Sequence, residues 1–237
     1  MAAGNGRKPG LSLVSSDADV AFYVGRLTAE VQSVMVLGGA HVRLIWALAE
    51  HAQRVQVVDP SESMLEGVED TRADKPGELS GRVQALSGDL RAVRLNQRFD
   101  LVLAPHNALS LVGTGQLEAV LTTVAAHLTS GGCFVFDVLS PPRSTAPHTL
   151  GGESGSGPPR SVEPQRPVFT PHLRGRRRPG GQGSPIHRLL FRPFSSEELD
   201  HALKDARFTP LERYGNFTGK PFDLGDAIQV VVAGTGR

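Results

Sequence analysis

Residues 34–60 read VMVLGGAHVRLIWALAEHAQRVQVVDP. The apolar run Val34-Met35-Val36-Leu37 is short and unbroken, the pattern of a strand buried on both faces, and Gly38-Gly39 ends it. Leu44, Ile45, Leu48 and Ala49 then recur at helical spacing, which predicts a helix from about His41 to His51. Val55 to Val58 is a second buried strand, closed by Asp59-Pro60. Strand, helix and strand in this order make a βα unit of a mainly parallel sheet.

The same rhythm extends in both directions. Upstream, Ser15-Ser16-Asp17 predicts the cap of a helix running through about Glu30, with Val20, Tyr23, Val24 and Leu27 on one face. Downstream, Ser61-Glu62-Ser63-Met64-Leu65 opens another helix, and a looser stretch, Thr71 to Gly81, leads to a strand over Val83 to Leu86 and the turn Ser87-Gly88-Asp89. Phe99 to Leu103 is the fourth strand. Gln116 to Leu128 is a helix with Leu117, Val120, Leu121 and Val124 inward, and Cys133 to Val138 is the fifth strand. After a break, His187 to Phe191 reads as a strand. A helix capped by Ser195 or Ser196 follows, with Glu198 placed for a capping box, and then strands over Phe208 to Tyr214 and Ile228 to Val232. The expected fold class is α/β and doubly wound, with a seven-stranded, mostly parallel sheet and helices on both faces.

The break has its own composition. Between Pro141 and Pro185 lie 10 Pro and 8 Gly, with seven Arg, two Glu and few large apolar side chains. Such a piece cannot offset its ordering entropy by burial, so residues 141–185 are expected to be a disordered insert. The domain itself is expected over 17–140 and 186–237, after a flexible N-terminus, 1–16. The insert carries a net +5, which leaves the rest of the 237-residue chain at −4, since the whole is +1. No overall field therefore attracts nucleic acid. The run Arg174-Gly175-Arg176-Arg177-Arg178 could bind phosphates or an acidic partner, although an exposed basic loop is more often only solvated and no aromatic residues interleave it. One cysteine, Cys133, excludes an internal disulfide and reads as a buried structural thiol. The eight histidines are scattered, so no metal site is expected. No run approaches the ~20 apolar residues of a membrane span, and Met1 to Gly10 lacks an apolar signal core; a cytoplasmic protein is expected.

In an open parallel sheet, ligands bind beyond the carboxyl ends of the strands, where strand order reverses. After the first strand, Gly38-Gly39-Ala40 lets backbone N–H groups approach a ligand at a helix start. After the second, Asp59 can accept two hydrogen bonds from a ribose diol, or cap the next helix. Met64 can pack on adenine or in the core, and Asp89 after the third strand can accept from an adenine amino group or shape its turn. After the fourth strand come Ala104-Pro105-His106-Asn107.

Taken in order, Val34 to Arg43, Val57 to Leu65, Gly88-Asp89-Leu90, Phe99 to Asn107 and Leu128 to Asp137 resemble the class I S-adenosylmethionine-dependent methyltransferases, a Rossmann-like family, particularly its small single-domain members. The tail, Phe194 to Leu199 and Ala206 to Phe208, is similar to that family's last helix and strand. The resemblance covers about residues 17–140 and 187–234. It implies S-adenosylmethionine as cofactor, bound by Gly38, Gly39, Ala40, Asp59, Pro60, Met64, Asp89 and Leu90, and methyl transfer to a small-molecule acceptor. His106 is the implied candidate for a base or substrate contact, its near-neutral reference pKa suiting that role; Tyr214 and Asn216 are further candidates. The loop departs from the family in three places. Val36 stands where an acid is usual, and Ala40 and Val42 stand where glycines are usual, Val42 being expected to intrude at the methionine end of the ligand. These departures support an alternative, a catalytically silent member of the fold acting as a binding or regulatory partner. A nicotinamide-dependent dehydrogenase would want glycines at positions 40 and 43, which are Ala40 and Arg43.

Overall fold

Side-chain alternation along the central strands decides how the layers stack. The structure, a computed structural model, describes residues 17–113, 115–141 and 191–235. In β1 (Ser33–Leu37), Met35 and Leu37 enter one core while Val34 and Val36 enter the other. In β4 (Phe99–Ala104), Val102 and Ala104 face the first core, and Leu101 and Leu103 the second. A period of two with both faces apolar requires cover on both sides.

The helices supply it. On one side α5 (Leu117–His127) and α6 (Ser196–Asp205) bring Leu117, Val120, Leu121, Val124, Leu199 and Leu203 against Phe99, Phe134 and Phe136. On the other, α1 (Asp17–Val24), α2 (Val42–His51) and α3 (Glu62–Asp70) bring Tyr23, Leu44, Ile45, Leu48 and Val68 against Val34, Val36 and Val57. The remaining strands are β2 (Arg54–Asp59), β3 (Val83–Ser87), β5 (Leu128–Leu139), β6 (Phe208–Tyr214) and β7 (Ile228–Thr235).

The sheet has seven strands in the order β3-β2-β1-β4-β5-β7-β6. Pairings from β3 through β5 are parallel, and β7 runs antiparallel to both β5 and β6. Strand order reverses between β1 and β4, so their carboxyl ends open the crevice where such sheets bind ligands.

Three elements differ from the sequence expectation. Helix α1 stops at Val24 rather than near Glu30, because Gly25 follows and the chain tightens through Arg26 N–H to Tyr23 O and Leu27 N–H to Val24 O bonds. Strand β5 starts at Leu128 rather than Cys133. Leu128 pairs with Phe99, the register shifts, and pairing resumes at Leu101 with Cys133, Gly131 taking a φ of 81°; Thr129 to Gly132 is a bulge within the strand rather than a turn before it. The looser stretch holds a 3-10 turn, Arg72–Asp74, and a short helix α4, Gly77–Gly81. Cys133 is half-buried, with burial raising its thiol pKa. The expected N-terminus 1–16, the insert beyond Pro141 with Arg174 to Arg178, and all of the His187 to Phe191 strand except Phe191 lie outside the described residues.

Candidate functional site

Gly38 and Gly39 leave β1 with φ of 69° and 60°, in the left-handed region that a Cβ disfavours. A Cβ on Gly39 would lie 2.5 Å from the Pro105 carbonyl oxygen, and one on Gly38 would lie 3.0 Å from Ala108 Cβ and 3.1 Å from Leu90 Cδ1. The loop after β1 is thus pressed onto the loop after β4, and only glycine permits that approach.

The β4 loop is itself held in an uncommon shape. His106 and Asn107 both have φ of 57°, which a non-glycine residue keeps only when its surroundings impose it. Asp137, near the end of β5, imposes it. Its Oδ1 accepts the His106 backbone N–H at 2.7 Å and its Oδ2 accepts that of Asn107 at 2.8 Å. The Tyr23 hydroxyl of α1 also donates to Oδ1. Burial pushes the Asp137 carboxyl above its ordinary value, against the pull of these donors. Burial, and then Asp137, push the Tyr23 phenol well above its usual range. Strand β5, helix α1 and the β4 loop are tied together at one carboxylate.

The His106 ring lies between two acceptors. Nδ1 is 3.2 Å from the Gly39 carbonyl oxygen and Nε2 is 3.1 Å from Asp19 Oδ2. A carbonyl and a carboxylate both only accept, so making both contacts requires a proton on each ring nitrogen. Asp19 is buried and also takes the Arg43 guanidinium, at 3.0 and 3.2 Å. Burial works to raise its carboxyl, but the hydrogen bonds from His106 and the Val20 N–H, with the charge of Arg43, outweigh this and hold it below the ordinary value. His41 sits beside His106, ring centroids 4.2 Å apart. It keeps a solvent face, yet the protein around it and then the His106 charge hold its imidazole down to about 4.

At the end of β2, Asp59 is buried below the same loop. Its Oδ2 accepts the Ala40 N–H at 3.2 Å and its Oδ1 the Ser61 N–H at 2.8 Å. One donor per oxygen leaves acceptor capacity for two more. Gly38, Gly39, Ala40, Asp59, Leu90 and His106 therefore come together, while Pro60 is exposed beside them and Met64 is half-buried against the core. Asp89 is exposed and its carboxylate is engaged by the Arg91 guanidinium. Val36 is fully buried in the core. Val42, half-buried at the start of α2, lies with its Cγ2 3.5 Å from a Cβ built on Gly67 of α3, so its bulk is taken up between two helices. The Tyr214 hydroxyl donates to Glu212 and its ring packs on Phe22 of α1, and Asn216 Oδ1 accepts from the Thr218 and Lys220 N–H groups.

Asp19, Tyr23, Arg43, Asn107 and Asp137 are absent from the cofactor and catalytic set expected from sequence. A lone carboxylate in the apolar run Cys133 to Val138 was a legible signal; its partner Tyr23, 114 positions away, was not. Among the described residues no group of three or more His, Cys, Asp or Glu is arranged to hold a metal ion.

A family model described as a methyltransferase domain matches residues 34–132. The cypemycin N-terminal methyltransferase of a Streptomyces species is 33% identical over 97 residues, covering 40% of this chain and 37% of that protein. The chain thus matches just over a third of that curated relative's length. Among solved structures, the CcbJ methyltransferase from Streptomyces caelestis aligns with a TM-score of 0.68 at 21% identity, over 93% of this chain and 90% of that one. The glycopeptide N-methyltransferase MtfA, complexed with S-adenosyl-L-methionine, aligns with a TM-score of 0.64 at 17% identity, over 95% and 96%. At these identities the two structures establish a shared fold.

Proposed function

We propose that the chain, whose residues 34–132 match a methyltransferase-domain model, transfers a methyl group from S-adenosylmethionine to a small-molecule acceptor. One observation carries this reading: the left-handed Gly38-Gly39 turn stands at the reversal of strand order with the Asp59 carboxylate beneath it.

The residues present fit the nucleoside half of the cofactor. Gly38 and Gly39 have no side chain to block its approach, and Asp59 retains lone pairs for a ribose diol. Ala40, Pro60, Met64 and Leu90 border that place, with Asp89 at the end of β3. Asp89 reaches an adenine amino group only when its carboxylate leaves Arg91. The bound cofactor supplies a methyl on a sulfonium, and the chain supplies alignment, which can provide much of the rate effect in a displacement of this kind. His106 is our candidate to receive the acceptor's proton. To do so it must free one ring nitrogen from Gly39 or Asp19 and release the proton which that contact requires, because both nitrogens now face acceptors. Among the described residues no helix is long and apolar enough to cross a membrane.

Calorimetric titration with S-adenosylmethionine and S-adenosylhomocysteine tests the reading. The wild-type chain is expected to bind both, and Asp59→Ala to weaken binding by about 1.5–3 kcal/mol with the fold intact, the scale of hydrogen bonds to a charged group. Unchanged affinity in folded Asp59→Ala removes the ribose role. No binding by wild type at millimolar ligand favours the silent alternative, for which the buried, apolar Val36 is the specific observation.

A further inference from the structure

The amino-acid end of the proposed cofactor is a zwitterion, and its ammonium needs acceptors of its own. Near the glycine loop the described acids have unequal capacity. Asp137 is buried and bound by two backbone N–H groups and the Tyr23 hydroxyl, none of which can leave without undoing the left-handed turn or releasing α1. Asp59 lies at the end of β2, on the nucleoside side. Val36, in β1 just before the loop, contributes no charge. Asp19, brought in by α1, is also buried and engaged, by the Val20 N–H, Arg43 and His106, but one of these donors is a side-chain imidazole that can swing away, and through that imidazole Asp19 reaches the Gly39 carbonyl. In the next residue of the same left-handed turn, the Asn107 amide oxygen is buried without a hydrogen-bond partner, in a residue only 5% exposed. An unsatisfied buried acceptor marks a missing donor.

We propose that Asp19 is the counter-charge to the α-ammonium of the cofactor's amino-acid end, with the Asn107 amide oxygen as a second acceptor and the His106 ring as the donor that the ammonium displaces. The exchange is chemically even, because a doubly protonated imidazole and an ammonium offer the same carboxylate an N–H donor and a positive charge. Arg43 remains on Asp19 and faces the carboxylate half of the zwitterion. His106, once displaced from Asp19, no longer needs its second ring proton; with that proton released to solvent, the freed nitrogen can accept the acceptor's proton. This inference rests on the function proposed above.

The test is calorimetric titration of the full chain with two ligands, S-adenosylhomocysteine and 5′-methylthioadenosine, which has the nucleoside but no amino-acid group. Asp19→Asn is expected to weaken S-adenosylhomocysteine roughly tenfold to a hundredfold and to leave methylthioadenosine within about twofold. His106→Ala, which removes the competing donor while keeping Asp19, is expected to tighten S-adenosylhomocysteine several-fold with no change for methylthioadenosine, and it decides the matter should Asp19→Asn fail to fold. Equal losses for both ligands in Asp19→Asn, or weaker S-adenosylhomocysteine binding in His106→Ala, overturn the ammonium assignment while the nucleoside site stands. Binding of neither ligand by the wild-type chain overturns the proposed function and this inference together.

Discussion

Asp137 shows how one side chain sets the shape of the site without standing at its mouth. Its two oxygens fix the backbone of His106 and Asn107 in a region that costs free energy for any residue with a Cβ, and the same carboxylate anchors α1 through Tyr23. Asp137→Asn keeps the size but turns one acceptor into a donor that faces an N–H or O–H. The expected loss is about 2–3 kcal/mol of unfolding free energy, read by chemical denaturation. A variant as stable as wild type would show that the left-handed turn holds itself. The residue scale was only partly legible in sequence. Asp59 and the two glycines are announced by local pattern, since a strand end and a helix start lie a few residues away. The pairs Tyr23 with Asp137 and Asp19 with His106 join positions 114 and 87 residues apart, and nothing local in either partner encodes the other.

Elements were legible where periodicity was long and their ends marked by chemistry. Ser195 accepts the Glu198 N–H at 3.1 Å and starts α6 as a cap, as its position predicts. The Glu198 carboxylate does not complete the box; it pairs with Arg192. The misread ends of α1 and β5 share a cause, a glycine whose meaning depends on what packs beside it. Gly25 ended a helix that apolar spacing continued, and Gly131 bent a strand that was expected to start only at Cys133. The other end of α6 yields a prediction. Arg207, exposed just after the helix, has φ of 62°, the left-handed position usually taken by glycine. Arg207→Gly relieves that strain and loses some chain entropy, for a net gain of about 0.5–1 kcal/mol. A lowered melting temperature would show that the Arg207 side chain contributes more than its backbone costs.

At the scale of the whole molecule, the five strands in the order β3-β2-β1-β4-β5 run parallel, so their carboxyl ends and the loops that follow them share one edge of the sheet. Strand, helix and strand in residues 34–60 foretold the parallel centre, and the weaker spacing of the last two strands still gave their positions, though not that β7 inserts between β5 and β6. That insertion is decided by which edge of the sheet has unpaired backbone, a property of the assembled sheet. The central claim is that the crevice at the ends of β1, β2 and β4 holds the cofactor. Amide hydrogen exchange of the full chain with and without saturating S-adenosylhomocysteine tests it most directly. The account predicts added protection confined to the loops at 38–41, 59–61 and 105–108 and to α1, with the amino-terminal edge of the sheet unchanged. No added protection in those loops, or protection centred on β6 and α6, would contradict it.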